Sequence, residues 1–167
     1  VCSSDLNSIF SSLKFKIKKN LKSIYRYFTD NQKGVYLAPI IYRDKYIFFE
    51  CSKNSYIEKK VLLYQNHCNY ILDSISDFII DDSYFIDIGA NIGTVSLSIA
   101  KRYSSNGLNV LAFEASENLS IKLKKNLKIN KLNNIRLFNE ALSKENSIID
   151  FYEPHSNSYN QGLGSLS

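Results

Sequence analysis

The sequence predicts an α/β fold built on a Rossmann-like, doubly wound parallel sheet, and three observations carry that prediction. Residues 83–88 (SYFIDI) and 109–113 (NVLAF) are short, nearly continuous apolar runs, as expected of strands buried on both faces of a parallel sheet. Each is followed, after a short loop, by apolar residues at helical spacing. A third β-rich run, 135–138 (IRLF), completes a strand–helix–strand–helix–strand order, the pattern of a doubly wound sheet. A complete sheet of this type needs about 200 residues. The segment 69–167 therefore reads as its N-terminal half, incomplete at the C-terminus, with 7–68 as an N-terminal helix and hairpin extension.

The elements follow in order. The chain contains no methionine, and its first residues, VCSSDL, translate back into the end of a common sequencing adapter; 1–6 are expected to be a non-native scar. Residues 9–28 mix Lys14, Lys16, Lys18, Lys19, Lys22 and Arg26 with Phe15, Ile17, Leu21, Ile24 and Phe28. This is a basic amphipathic helix that either packs on the domain or touches an anionic membrane surface weakly. Residues 35–49 (VYLAPIIYRDKYIFF) read as a hairpin turning at Arg43-Asp44-Lys45, with Pro39 confining its strand to an edge. In 69–80, Ile71, Leu72, Ile75, Phe78 and Ile79 form a helical stripe, ended by Asp81-Asp82.

After the first buried strand, 93–103 reads as a helix with Ile92, Val95, Ile99 and Tyr103 on one side. Ser116 is the expected N-cap of a helix running to about Lys131, with Glu117 in its first turn and Leu119, Leu123 and Leu127 facing inward. Its lysines lie mostly in later turns and read as a solvated face, and Asn133-Asn134 is expected to supply a left-handed C-cap. A further short strand is expected over 147–152, before the polar tail SNSYNQGLGSLS.

Composition narrows the function. The 167 residues are 44% hydrophobic and 22% charged, ordinary for a globular chain, and a net charge of +5 concentrated near the N-terminus leaves no nucleic-acid footprint. Three scattered cysteines, Cys2, Cys51 and Cys68, fit a reducing, cytoplasmic compartment better than a disulfide framework. His67 beside Cys68 makes no metal pattern, so no metal is expected. No apolar run approaches the roughly 20 residues of a membrane span, and no secretory signal is evident.

The chemistry lies in FIDIGANIGTVS, residues 85–96. In an open α/β sheet, ligands bind beyond the carboxyl ends of the strands. Gly89 and Gly93 let backbone approach a ligand, and a helix N-terminus follows. Glu114, ending the next strand, is placed to accept ribose hydroxyls. A P-loop is excluded, because no G-K-[ST] follows. A dinucleotide site wants G-x-G-x-x-G, but Asn91 and Thr94 stand where glycines are needed, and Asp87 lies close to the phosphate position. S-adenosylmethionine has a ribose diol and a sulfonium but no phosphate; Asp87 suits its cationic end, the turn amides its carboxylate, and Glu114 its ribose. An NAD-type oxidoreductase and a non-catalytic module binding membranes through 9–28 stand as the alternatives.

FIDIGANIGTVSLSIA and the following VLAFEASENLSIKLKKNLKINKLNNIRLFNEALSKENSIIDFY resemble the FkbM family of methyltransferases, whose hallmark D-[IV]-G-A-N-[IV]-G is matched by Asp87 to Gly93. The resemblance spans roughly 70–167. It implies a class I methyltransferase fold, S-adenosylmethionine as cofactor, and O-methylation of a sugar or natural-product hydroxyl. It further implies that Asp87, Gly89, Ala90, Asn91 and Gly93 line the methionine end, that Glu114 holds the ribose, and that Ala115 lies near the adenine. Glu140 and Ala141, within NEALS, would lie beside the adenine too. The family often has proline after the strand-end acid, where this chain has Ala115-Ser116. The family's further strand and acceptor side follow beyond the matched segment, so no catalytic residue is assigned. The intact parent is expected to be the enzyme, and this stretch alone to be inactive. The acceptor and the oligomeric state stay open.

Overall fold

The computed structural model describes residues 34–53, 55–65, 68–148, 150–152 and 165–166. The expected scar over 1–6, the expected basic helix over 9–28, His67 and most of the polar tail lie outside the described residues.

The chain folds as three layers: an antiparallel hairpin, a pair of helices, and a parallel sheet. Strands β1 (Val35–Tyr42) and β2 (Lys45–Ser52) pair antiparallel, with Tyr42 opposite Lys45, so the connection is the two-residue loop Arg43-Asp44. Arg43 takes the positive φ that such a tight turn requires. Alternation sends Ala38, Ile40, Tyr42, Ile47, Phe49 and Cys51 into the core, and Pro39 is buried between the first two. Burial of a side chain such as Ile47 or Phe49 is worth about 1.5–3 kcal/mol. Pro39 sits opposite Phe48, whose backbone N–H and C=O both turn away from β1 to meet Asn130. The missing proline N–H therefore costs the ladder nothing, as an edge position demands.

Helix α1 (Tyr56–Leu63), which the sequence reading did not anticipate, packs on both hairpin strands. Its Glu58 is only 1% exposed; the carboxylate accepts the Ser52 N–H and pairs with Lys122. Helix α2 (Asn69–Ser76) is shorter than its apolar stripe suggested. Leu72 is buried within it, whereas Phe78 lies beyond its end and is 82% exposed. Cys51 and Cys68 are free thiols, and burial raises the pKa of both, that of Cys51 well above the ordinary thiol range, as expected of inert packing residues.

The parallel sheet consists of β3 (Tyr84–Ile88), β4 (Asn109–Phe113) and β5 (Ile135–Phe138), in the spatial order β3-β4-β5. Helices α3 (Thr94–Arg102) and α4 (Glu117–Asn130) make the two crossovers. This is one wing of a Rossmann-like doubly wound sheet, as the sequence predicts. Both helices also touch the hairpin, so the helical layer is sandwiched between two sheets. Helix α3 is accordingly buried almost all round, through Thr94, Ser96, Leu97, Ser98, Ile99 and Ala100, where one apolar side was expected.

Three further expectations are corrected. The apolar composition of β3 implied burial on both faces, yet Tyr84, Ile86 and Ile88 are 68%, 53% and 67% exposed, because the helices and hairpin cover one face only. Helix α4 ends in a left-handed Lys131 rather than at Asn133-Asn134. The Asn134 amide is taken instead by the carbonyls of Ala100 and Leu108, which fix the entry to β5. The late strand expected over 147–152 is only β6 (Phe151–Tyr152), which pairs with β7 (Ser165–Leu166).

Two asparagines one turn apart fasten β2 to α4. Asn130 accepts the Phe48 N–H at 2.8 Å and donates to its C=O at 2.7 Å, taking the place of a neighbouring strand. Replacing Asn130 with alanine removes both of these bonds, so urea denaturation of the variant is expected to show a loss of about 1–3 kcal/mol.

Candidate functional site

The turns after β3, β4 and β5 converge at the carboxyl edge of the sheet, where this fold class places its ligands. The first, 89–93, is shaped by backbone conformation. Gly89, Asn91 and Gly93 all have positive φ, at 79°, 54° and 90°. Asparagine is among the few side-chain-bearing residues that tolerate this region, so Asn91 keeps the left-handed geometry a glycine would allow. It also adds an acceptor: its Oδ1 takes the Ile92 N–H at 2.9 Å.

Gly93 is the N-cap of α3, and it has to be glycine. A Cβ there would stand 2.3 Å from Leu97 Cδ1 and 3.2 Å from Leu123 Cγ. A glycine cap brings no side chain to the first turn of the helix, and Asp87 reaches that turn from the neighbouring strand. Its carboxylate accepts the hydroxyl of Ser96, the third residue of α3. Burial raises the Asp87 pKa above the usual carboxylate range, and hydrogen bonding from Ser96 only partly opposes that.

Glu114 is buried at the start of the second turn. Its Oε2 accepts the Asn91 N–H at 2.7 Å and its Oε1 the Ser116 N–H at 2.9 Å, joining the first turn to the second. Ser116 then caps α4 as the sequence predicts, accepting the Leu119 N–H. Asn139 ties in the third turn by donating to the carbonyls of Glu114 and Ala115.

The structure therefore brings together Asp87, Gly89, Ala90, Asn91, Gly93, Glu114 and Ala115. Glu140 and Ala141 follow β5 as exposed residues, and Asn139 makes the link to the other turns in their place. Two roles differ from the sequence reading. The amides of the first turn were expected to serve a ligand carboxylate, but all five are taken within the protein. Gly89 and Ala90 donate to the Phe113 carbonyl, Asn91 to Glu114, Ile92 to the Asn91 side chain, and Gly93 to the Ala90 carbonyl. Asp87 likewise faces Ser96 rather than standing open. Reasoning from sequence missed Ser96, Asn126 and Asn139. The first two carried a signal, as polar residues at buried positions of helices.

Open space remains above the turn. A Cβ built on Gly89 meets no heavy atom within 4 Å, so the backbone there forms an uncovered cradle. Each Glu114 oxygen, with one amide bound, keeps a lone pair that could accept a hydroxyl. Among the described residues no group of three or more His, Cys, Asp or Glu side chains could hold a metal, and no helix is long and apolar enough to cross a membrane.

No protein-family model matches the chain, and no curated protein matches it. Among solved structures, a tRNA (uracil-54, C5)-methyltransferase of Pyrococcus abyssi in complex with S-adenosyl-L-homocysteine is similar at 20% identity and a TM-score of 0.46, over 64% of this chain and 24% of that one. A SAM-dependent methyltransferase from Agrobacterium tumefaciens is similar at 14% identity and a TM-score of 0.41, over 63% of this chain and 32% of that one. The chain thus spans well under half the length of either.

Two outcomes follow from the geometry. Gly93→Ala must both move Leu97 and hold alanine at positive φ, so urea melts should show a loss of about 2–4 kcal/mol. Asp87 has a folded pKa above its ordinary 3.8, so the stability it lends is fullest below that pH and is lost as pH rises through the folded value. Asp87→Asn, which can still accept from Ser96, should therefore melt at or above the wild-type temperature at pH 7, the difference shrinking toward pH 3.8. Thermal melts across that range check it.

Proposed function

We propose that this chain forms the cofactor-binding part of an S-adenosylmethionine-dependent methyltransferase of the FkbM type, acting on a hydroxyl of a sugar or natural product. One observation carries the reading: the turn 89–93 has spent its amides internally, while two carboxylates, Asp87 and Glu114, flank it. A pyrophosphate needs unpaired backbone donors and no acid nearby. This turn offers the reverse, which suits a ligand with hydroxyls and a positive centre and no phosphate. The FIDIGANIG motif, placed as strand, turn and helix start, supports the family assignment.

The residues present fit that cofactor. The cradle at Gly89 leaves room for it, and the remaining lone pairs of Glu114 suit a ribose diol. Bound S-adenosylmethionine would supply a methyl group on a positively charged sulfur. Ala90 and Gly93 would let the backbone approach it closely, and Asp87 would lower the potential along the turn. Ala115 would border the adenine, with Glu140 and Ala141 beside it. Methyl transfer depends chiefly on alignment of donor and acceptor, and the described residues serve the donor side. The acceptor would be a small molecule or glycan, in the cytoplasm.

Isothermal titration of the full chain with S-adenosylmethionine, and separately with NAD, tests the reading. Binding of S-adenosylmethionine that NAD does not displace is expected; binding of NAD alone overturns it. Glu114→Ala should weaken S-adenosylmethionine by about tenfold or more, since hydrogen bonds to a charged group are worth about 1.5–3 kcal/mol. An unchanged affinity would remove Glu114 from the ribose role.

A further inference from the structure

We infer that Asn126, in the middle of α4, is a positioning residue for the cofactor turn, and that through it the N-terminal hairpin sets the turn's conformation. The inference rests on the reading of 89–93 as a cofactor site.

Asn126 is fully buried, and both ends of its side chain are committed. Oδ1 accepts the Glu50 N–H of β2 at 2.8 Å, and Nδ2 donates to the Ile92 carbonyl at 3.0 Å. The two partners fix the orientation of the amide, because one can only donate and the other only accept. A single planar group thus spans the helical layer, from the hairpin on one side to the turn on the other. Aspartate could hold Glu50 but would set an acceptor against the Ile92 carbonyl. Leucine would leave both backbone groups unpaired.

The turn needs such a hold. Asn91 is kept at positive φ, a conformation that costs a residue with a side chain. Two points flanking it are gripped from different elements: the Asn91 N–H by Glu114 of the β4 turn, and the Ile92 carbonyl by Asn126 of α4. Removing the Asn126 grip leaves the peptide between Ile92 and Gly93 held only through its N–H, by the Ala90 carbonyl, and a turn loosened there would change the shape presented at Gly89. Asn130 provides the internal contrast. It is bound to the same strand one turn away, yet none of its bonds reaches the turn.

The test compares Asn126→Ala and Asn126→Asp with Asn130→Ala in the full chain. Urea denaturation, S-adenosylmethionine titration and amide hydrogen exchange are followed for each. Both Asn126 variants are expected to weaken S-adenosylmethionine by about tenfold or more, while Asn130→Ala, at a similar loss of stability, stays within about twofold of wild type. Exchange at the amides of Asn91 and Gly93 should quicken in the Asn126 variants and not in Asn130→Ala. Equal weakening by all three variants, or wild-type affinity in either folded Asn126 variant, overturns the inference. Asn126→Asp keeps the hairpin bond, so it serves where the alanine variant does not fold. If the wild-type chain binds no S-adenosylmethionine, the cofactor reading fails, and the exchange rates alone decide whether Asn126 holds the turn.

Discussion

Helix α3 is pressed between two sheets, and much of the site follows from that constraint. A helix with the hairpin on one side and the parallel sheet on the other has no solvent face on which to place bulk, so its buried positions include Thr94, Ser96, Ser98 and Ala100. Its N-cap cannot carry a side chain either, since a Cβ at Gly93 would strike Leu97 from the helix's own first turn. The amides of that turn still require partners, because a buried helix end without them is costly. Asp87 approaches that end from β3 and accepts the Ser96 hydroxyl, which sets its carboxylate beside the turn. The acid that the motif places before the glycines thus ties β3 to the first turn of α3 as well as bringing a carboxylate to the turn.

The same close packing decides where the turn's donors point. A glycine-rich loop that binds phosphate leaves its backbone donors pointing outward. Here Phe113, Glu114, the Asn91 side chain and the Ala90 carbonyl take those donors inward, so the loop presents none of its own amides to an anion. The substitution of Asn91 for a glycine does two things together. It preserves the left-handed backbone, and it consumes one more amide. Residue type and conformation therefore point in the same direction, away from a dinucleotide.

Much of this was legible in the sequence, for identifiable reasons. The strand at Ile135–Phe138 and the Ser116 cap were readable because each rests on local chemistry, a short apolar run in one case and an N-cap hydroxyl in the other. The roles of Asp87 and Glu114 were legible only as positions. That Asp87 would bind the Ser96 hydroxyl of α3 from another element, and that Glu114 would bridge two turns, depends on contacts 9 and 23 residues apart in the chain. The C-cap was misplaced because Asn133-Asn134 has the right residue type, while tertiary contacts decide which residue turns left-handed. Lys131 does so, and Asn134 is held by carbonyls of the preceding crossover. Helix α1 escaped notice because it is short and its central residue Glu58 is a buried charge, which no apolar pattern announces.

The exposed face of the parallel sheet shows why the expectation for β3 failed and yet was physically sound. Pairing places Ile88, Phe113 and Phe138 in one row across the three strands, with Phe113 and Phe138 stacked at 4.6 Å. Ile86 and Leu111 stand adjacent in the next row. Such rows belong to a sheet covered on both faces, since apolar area left in water forgoes about 25 cal/mol for every Å². The hairpin and helices cover one face, and no other element among the described residues covers the second. The composition of β3 is therefore that of a two-sided strand, and its exposure reflects which neighbours are present rather than a polar design. The site lies at the carboxyl edge shared by both faces, so its donor-side residues are fixed from the covered face alone.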